Sequence, residues 1–357
     1  MALTHIELLA VRNIQTASLE PSPCLNFLVG PNASGKSSLL EAIYLLGRAK
    51  SFRTHQARQA INFTQTQLVV TGCTLSTGGL NHHLGVSLDA NGSQIRIDHT
   101  PRQKADLAYA LPVQMIHPKS YRLLDGSPQL RREFLDWGVF NQQTQFLRHW
   151  RRFSKALQQR NALLKSKQSA SIQAWDREIV DTALPISAFR QSYLELLSPV
   201  FNRLAALFLQ LGELKVHYQP GWPDKHALAS LLAQHVERDL RYGFTHYGPH
   251  RADIVITVAG RAAKDYLSRG QQKLLVLALL LAQVDLLQTS ETNACCILID
   301  DFCAELDAVN RLKLLKYLSD LRCQAFLTGT ELSDFGDLSF LTDYKLFHVE
   351  HGIVHAA

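Results

Sequence analysis

The sequence predicts an α/β protein with two parts: a P-loop lobe of mixed sheets with helices, and a smaller, mostly helical lobe. Three observations carry that reading. An apolar run, Leu25–Val29, leads into a glycine-rich loop, and Ser38 to Leu46 follow with helical spacing. A second apolar run, Cys295–Ile299, ends in the pair Asp300-Asp301. From Tyr121 to about Tyr242 the pattern is helical. Short continuous apolar runs fit strands of a parallel sheet buried on both faces.

The loop reads Gly30-Pro31-Asn32-Ala33-Ser34-Gly35-Lys36-Ser37, the pattern G-x-x-x-x-G-K-S. Strand, glycine-rich loop and helix in that order make a phosphate cradle. Gly30 and Gly35 permit backbone angles that a side chain forbids, so loop N–H groups converge on phosphate oxygens at a helix N-terminus. Lys36 would reach the β- and γ-phosphates, and the Ser37 hydroxyl would bind Mg²⁺. A nucleoside triphosphate, read as ATP with Mg²⁺, is the expected ligand.

At 357 residues the chain exceeds one typical domain. Its 46% hydrophobic and 19% charged residues are ordinary for a soluble globular protein. The longest apolar stretch, Leu274 to Ala282, is too short to span a bilayer, and the N-terminus lacks a basic segment followed by an apolar one. Cys24, Cys73, Cys295, Cys296, Cys303 and Cys323 show no C-x-x-C spacing, so they read as reduced core residues. The expected location is cytoplasmic, with no membrane. A formal net charge of +6 favours a polyanionic partner.

In chain order, residues 3–14 alternate as a strand, and Ala17 to Glu20 return as its hairpin partner. Ala49 to Ile61 is polar and basic, with Lys50, Arg53, His55 and Arg58: either a solvated loop or one that touches phosphate or DNA. Residues 67–99 read as a β-meander with a two-residue hairpin at Asn91-Gly92. Leu111 to His117 is another short strand. In the helical region Phe146, Trp150, Phe153, Leu157 and Leu164 share one face, and Arg148, Arg151, Arg152 and Lys155 the opposite one. No acidic residue occurs between Asp136 and Asp176. That basic face is either solvated or in contact with a DNA backbone. Gln158–Ser171 and Ile172–Leu197 read as a short antiparallel helical arm with a Ser-rich tip. β-structure returns at Phe244, with a turn at Tyr247–Asp253 before the strand 254–258, and the chain closes in a hairpin after Tyr344.

A second half of the site follows. Ser268, Gly270 and Gln271 precede a strongly apolar helix, Lys273 to Gln288. Ser268 with Gln271 fits a capping box. The same atoms also fit a phosphate-binding helix end, and S-x-G-Q resembles the signature of ABC-type ATPases. In that class the signature completes the ATP site of a second subunit. At the end of the apolar run, Asp300 would hold Mg²⁺ and Asp301 would orient or deprotonate the attacking water. Asp is one methylene shorter than the Glu usual there, so slow hydrolysis is expected. Ala304-Glu305-Leu306-Asp307 resembles the loop that crosses the dimer interface. Thr328 or Thr330 either contacts the γ-phosphate side or simply ends a strand.

Five stretches together resemble the RecF family of recombinational-repair ATPases, relatives of the SMC and ABC proteins: Gly30–Ser37, Gly126–Asp136, Gly248–Asp253, Leu267–Gln272 and Ile299–Asp307. They span nearly the whole chain in the family's order. One departure is Lys119 after Pro118, where the family usually has an acid. The resemblance implies an ABC-type ATPase lobe from residues 1–120 and 245–357, and a helical lobe from 121–244. It implies an ATP-driven homodimer that clamps single-stranded or gapped DNA, or ss–ds junctions. RecR and RecO are the implied partners, with RecA loading and SOS induction as the outcome. Slow hydrolysis, stimulated by DNA, would release the dimer. The alternative is the ATPase subunit of an ABC transporter, against which the basic helix and the Asp-Asp pair both count.

Overall fold

The computed structural model describes residues 2–75, 79–168, 171–223, 225–288, 295–301, 306–321 and 323–356. Cys303, Ala304 and Glu305 lie outside the described residues, as does part of the Ser-rich tip. The chain opens with strands β1 (Ala2–Val11), β2 (Ile14–Leu19) and β3 (Leu25–Val29), then helix α1 (Lys36–Arg48). Next come β4 (Leu68–Leu75), β5 (Asn81–Asp89), β6 (Gly92–Ile97), β7 (Thr100–Pro101), α2 (Lys104–Ala110) and β8 (Val113–Ile116). The middle holds α3 (Arg122–Asp125), α4 (Pro128–Gln142), α5 (Phe146–Lys165), α6 (Ile172–Phe208), β9 (Leu214–Gln219), α7 (Leu228–Gln234) and α8 (Val236–Tyr242). It continues with β10 (Asp253–Val258), β11 (Arg261–Ala262), α9 (Ala263–Tyr266) and α10 (Arg269–Gln288). The chain ends with β12 (Cys296–Ile299), α11 (Ala308–Leu321), β13 (Ala325–Gly329), β14 (Tyr344–Glu350) and β15 (Ile353–Ala356).

Residues 1–120 with 280–357 form one unit, and residues 121–279 form the other. The first unit holds two six-stranded sheets. One is antiparallel, in the order β2-β1-β4-β5-β6-β7. The other has the order β15-β14-β3-β13-β12-β8; all its neighbours pair parallel except β14 and β15. Helix α1 is buried almost all round. Its Leu39, Leu40, Ile43 and Leu46 share one core with Ile6, Val70 and Leu84 of the first sheet and with Leu28, Leu298 and Phe326 of the second. Enclosure on every side also buries Lys36, Ser38 and Glu41 of α1, which must therefore be paired. That enclosure fixes the direction in which the P-loop enters α1.

Some local expectations change. The hairpin between β5 and β6 exists, but Asp89 pairs with Gly92, so the two-residue turn is Ala90-Asn91 rather than Asn91-Gly92. Asp89 Oδ1 accepts from the N–H groups of Asn91 and Gly92, and Gly92 takes a φ of 132°. Strand β9 falls inside the region read as mostly helical. It pairs antiparallel with β10, and residues 245–279, read with the P-loop lobe, accordingly belong to the second unit. Helix α6 runs past Pro199 to Phe208 because Phe201, Leu204, Ala205 and Phe208 are buried at helical spacing, which outweighs the lost N–H. Helix α10 has the length and composition to cross a membrane, with a mean hydropathy of 1.3. Yet 72% of that window is buried inside the protein, as in a core helix.

The second unit is pinned by buried arginines. Arg160 on α5 is fully buried. It pairs through Nε with Asp176 at 2.5 Å and through Nη1 with Asp239 at 2.6 Å and Thr245 Oγ1 at 2.9 Å. Arg190 on α6 holds Asp136 on α4 through two bonds, at 2.8 and 3.0 Å, and donates to the carbonyl of Pro249 at 2.8 Å. Charges so enclosed persist only when paired and hydrogen-bonded. Removing Arg160 takes the guanidinium from Asp239, itself 1% exposed, and among the described residues leaves it only the His246 ring at 2.6 Å. Arg160→Ala is expected to lower stability by about 3–5 kcal/mol, read as a lower urea midpoint. An unchanged midpoint would show that water replaces the arginine at no cost.

Candidate functional site

The P-loop follows β3, Asp300 follows β12, and Thr328 lies on β13 between them. The register sets Ile299 opposite Leu327 and Val29 opposite Gly329, so the C-terminal ends of these strands meet at one level. Open parallel sheets bind their ligands at such ends.

Ser37 Oγ donates to Asp300 Oδ1 at 2.9 Å. Thr328 Oγ1 donates to the same oxygen at 3.0 Å and accepts from Asp301 N at 2.8 Å. Burial pushes the Asp300 carboxyl above its ordinary value. The Ser37 and Thr328 hydroxyls pull it down, and the neighbouring Asp301 raises it again. Asp301 itself is exposed and has a φ of 52°, a left-handed conformation that Asp adopts more readily than most residues.

Lys36 is 7% exposed, and its Nζ donates to the carbonyls of Gly30 at 2.6 Å and Pro31 at 2.8 Å. Burial lowers its pKa, while Asp301, Asp300 and Asp334 act in the opposite sense. Both loop glycines are required. Gly30 has a φ of 155°, and a Cβ there would lie 2.0 Å from the carbonyl oxygen of Val349. Gly35 precedes α1 with a φ of 124°. Ser34 Oγ is buried in the loop without a hydrogen-bond partner among the described residues. A donor orphaned inside such a cradle suits an anionic oxygen.

The structure adds residues that the motifs do not contain. Asn13, in the turn between β1 and β2, donates through Nδ2 to the Ser34 carbonyl at 3.1 Å and accepts from Ser38 Oγ at 2.8 Å. Gly352 N donates to the same carbonyl at 2.8 Å. Arg12 makes two bonds, at 2.8 and 2.9 Å, to the fully buried Glu41 of α1. Thr330, one of the two threonines named for the γ-phosphate side, spends its hydroxyl and its N–H on Asp334. Thr328 is buried and grips the Asp300-Asp301 pair. No spacing in the sequence relates residues 13, 34 and 352; only the fold does.

At the start of α10 the capping box is formed. Ser268 N donates to Gln271 Oε1 at 3.0 Å, and Gln271 N donates to Ser268 Oγ at 3.3 Å. Ser268, Arg269 and Gly270 are exposed, and the Cβ direction of Gly270 meets open space. Of the expected interface loop, Leu306 and Asp307 are described, and Asp307 caps α11 by accepting from Asn310 N at 2.8 Å. Arg148, Arg151, Arg152 and Lys155 are all exposed on α5. Arg152, however, donates through Nε and Nη2 to the two carboxylate oxygens of Glu178 on α6, at 2.7 and 2.9 Å. The compensating acid missing from the local sequence arrives from the neighbouring helix. Trp150, expected on the apolar face, stays 41% exposed, and Arg160 occupies an inner position instead.

Among the described residues no group of three or more His, Cys, Asp or Glu side chains could hold a metal ion. The described cysteines are free thiols, and burial pushes Cys295 up to about 12. His117, beside Lys119, is lowered to about 4 by burial first and by Lys119 second. His250 in the Gly248–Asp253 stretch is also lowered to about 4, chiefly by burial.

Fold and site together define a class of P-loop head domains. The family described as the RecF/RecN/SMC N terminal domain matches residues 2–353. The chain is 43% identical over 360 residues to the DNA replication and repair protein RecF of Pseudomonas aeruginosa (strain UCBPP-PA14), covering 99% of this chain and 97% of the relative. RecF of Pseudomonas syringae pv. syringae is 42% identical over 363 residues, with the same coverage. A solved structure of the recombination mediator protein RecF-ATP in the RecFOR pathway superposes with a TM-score of 0.89 at 25% identity, covering 100% of this chain and 97% of that one. An Smc head domain from Pyrococcus furiosus shares the fold with a TM-score of 0.58 at 15% identity, over 100% of this chain and 96% of that one. This chain belongs to the RecF family.

Two measurements check the site's chemistry. Thr328→Val keeps the volume but orphans Asp301 N and removes one donor from Asp300. It is expected to cost about 1–3 kcal/mol and to raise the Asp300 carboxyl further, read by urea unfolding and ¹³C carboxyl titration. The two neutral histidines act in the acid direction. Each has a folded pKa of about 4, below the ordinary value of about 6.5. The unfolded chain therefore binds more protons between those values. The stability they contribute is full above about pH 6.5 and is lost as pH falls through about 4, by up to about 3 kcal/mol each. Urea midpoints from pH 8 to pH 4 should fall, and His250→Asn should flatten the curve. Parallel curves for wild type and variant would contradict a buried neutral His250.

Proposed function

We propose that this chain binds ATP with Mg²⁺, and that ATP joins two copies into a clamp on DNA during replication and recombinational repair. The observation that carries the reading is the meeting of Ser37, Asp300 and Thr328 at the ends of β3, β12 and β13 beside Lys36. The donor set fits the ligand. Lys36 would leave the carbonyls of Gly30 and Pro31 for the β- and γ-phosphates. The backbone from Gly30 through Pro31, Asn32, Ala33, Ser34 and Gly35 to Ser37 would wrap them, at first-turn N–H groups of α1 that have no intrahelical acceptor. Ser37 and Asp300 would hold Mg²⁺, which would neutralise charge on the phosphates. A half-buried carboxylate with a raised pKa gains from a cation beside it. Asp301 would orient the attacking water, and its short side chain supports slow hydrolysis.

Ser268, Gly270 and Gln271 of a second copy would close the site. The capping box leaves the Ser268 hydroxyl proton free to donate and arranges the first turn of α10 toward an anion. Because these contacts need the γ-phosphate, ATP favours the dimer and hydrolysis releases it. In this reading residues 1–120 with 280–357 form the ATPase lobe, and the helical lobe lies within residues 121–279. Arg148, Arg151 and Lys155 would meet DNA phosphates, with Arg152 shared with Glu178. Family membership sets the transporter alternative aside. The names of the relatives support a role in DNA replication and repair and a place in the RecFOR pathway. RecR and RecO as partners, RecA loading, SOS induction and a cytoplasmic location are the further parts of this proposal.

Sedimentation with ATP, with ADP and without nucleotide tests the reading, with gapped duplex added in parallel. Wild type is expected to dimerise with ATP alone. Lys36→Ala and Ser268→Arg should stay monomeric, and Asp301→Asn should hold the ATP dimer without release. Full dimerisation of Lys36→Ala would sink the proposal.

A further inference from the structure

Phe63 lies in the basic loop region outside the nucleotide site, and its side chain is 94% exposed. Its backbone is held on both sides. Asn62 N donates to the Ala10 carbonyl at 2.9 Å, and Asn62 Nδ2 donates to the Arg12 carbonyl at 2.6 Å. Thr64 donates to Asn62 Oδ1 through N at 3.0 Å and through Oγ1 at 2.7 Å. Gln65 N donates to the Asn62 carbonyl at 2.9 Å, and Ile61 bridges Val11. Asn62 itself is only 3% exposed. A ring left in water contributes no burial energy to folding. A backbone already immobilised, by contrast, lowers the ordering cost of binding something to that ring.

Charge indicates what would cover it. No acidic residue lies between Glu41 and Asp89. Lys50, Arg53, His55 and Arg58 are exposed on the segment that leads to Phe63. Arg53 is drawn to Glu41 at 3.8 Å. Arg58 sits in the 3₁₀ turn Ala57–Ala60, and its carbonyl accepts from Ile61 N at 3.0 Å, so it is fixed to the same support as Phe63. Exposed cations with one exposed aromatic ring suit a polyanion that offers flat π faces, which is an unpaired nucleic-acid strand.

We propose that Phe63 is a stacking platform for an unpaired base, with Lys50 and Arg58 meeting the phosphates of the same strand. This rests on the DNA-binding reading above and narrows it to a single-stranded segment and a named contact. Asn62 hangs from the Arg12 carbonyl, next to the Asn13 side chain that grips the P-loop, so strand and nucleotide share one support.

Fluorescence anisotropy of the full chain with a labelled single strand, a gapped duplex and a blunt duplex, over a salt series, tests this. Phe63→Ala should weaken single-strand and gap binding by about tenfold and leave the blunt duplex within about twofold. Its salt slope should match wild type, because stacking releases no counterions. Phe63→Trp should retain binding and Phe63→Leu should not. Arg58→Gln should lower the single-strand salt slope by about one. An unchanged Phe63→Ala, an equal loss on the blunt duplex, or a Phe63→Leu that binds like Phe63→Trp each overturns the proposal. So does loss of a protein partner with single-strand binding intact. If wild type binds none of the three DNAs, the DNA reading fails and takes this proposal with it. If wild type binds and Phe63→Ala matches it, this proposal fails alone.

Discussion

A carboxylate half-buried at the end of a parallel sheet is costly unless donors or a cation meet it. Asp300 is that group, and its surroundings follow from the need. One donor comes from the P-loop helix, through Ser37, and the other from the intervening strand, through Thr328. Both reach the same oxygen only because β13 lies between β3 and β12. The strand order is therefore a condition of this shared contact. Thr328 also holds the N–H of Asp301, so one hydroxyl sets the carboxylate and fixes the strained residue after it.

The P-loop, in turn, is shaped from outside itself. Asn13 and Gly352 hold the Ser34 carbonyl, Gly30 N donates to the Thr330 carbonyl at 3.2 Å, and the Val349 carbonyl occupies the space where a Cβ of Gly30 would be. These contacts come from the first hairpin, from the end of β13 and from the last hairpin. A loop with two glycines has many conformations open to it. Contacts from three distant parts of the chain restrict them. Preorganised donors of this kind cost little reorganisation when a ligand arrives.

The second unit solves a different problem. Its helices carry many arginines, and enclosing them requires acids from other helices. Arg160 and Arg190 find Asp176, Asp239 and Asp136, each from an element remote in sequence or across a turn. The same logic explains Arg152, which a local count leaves uncompensated and the α5–α6 arm pairs with Glu178.

Much was legible in the sequence. The P-loop, the apolar strands β3, β12 and β13, the capping box at Ser268 and the helical arm all rest on local patterns, because glycine angles, burial and capping act over a few residues. Family resemblance was legible for the same reason, as five short stretches in order. What the chain alone left open depends on partners far along it. Asn13, Thr328 and Gly352 enter the site through strand order; β9 becomes a strand through pairing with β10; the turn of the β5–β6 hairpin moves by one residue because the Asp89 side chain caps it. Residue type and spacing determined which motifs this chain carries and to which family it belongs. The tertiary structure decided which atoms hold that chemistry in place, because hydrogen bonds and burial are settled between elements that only folding brings together.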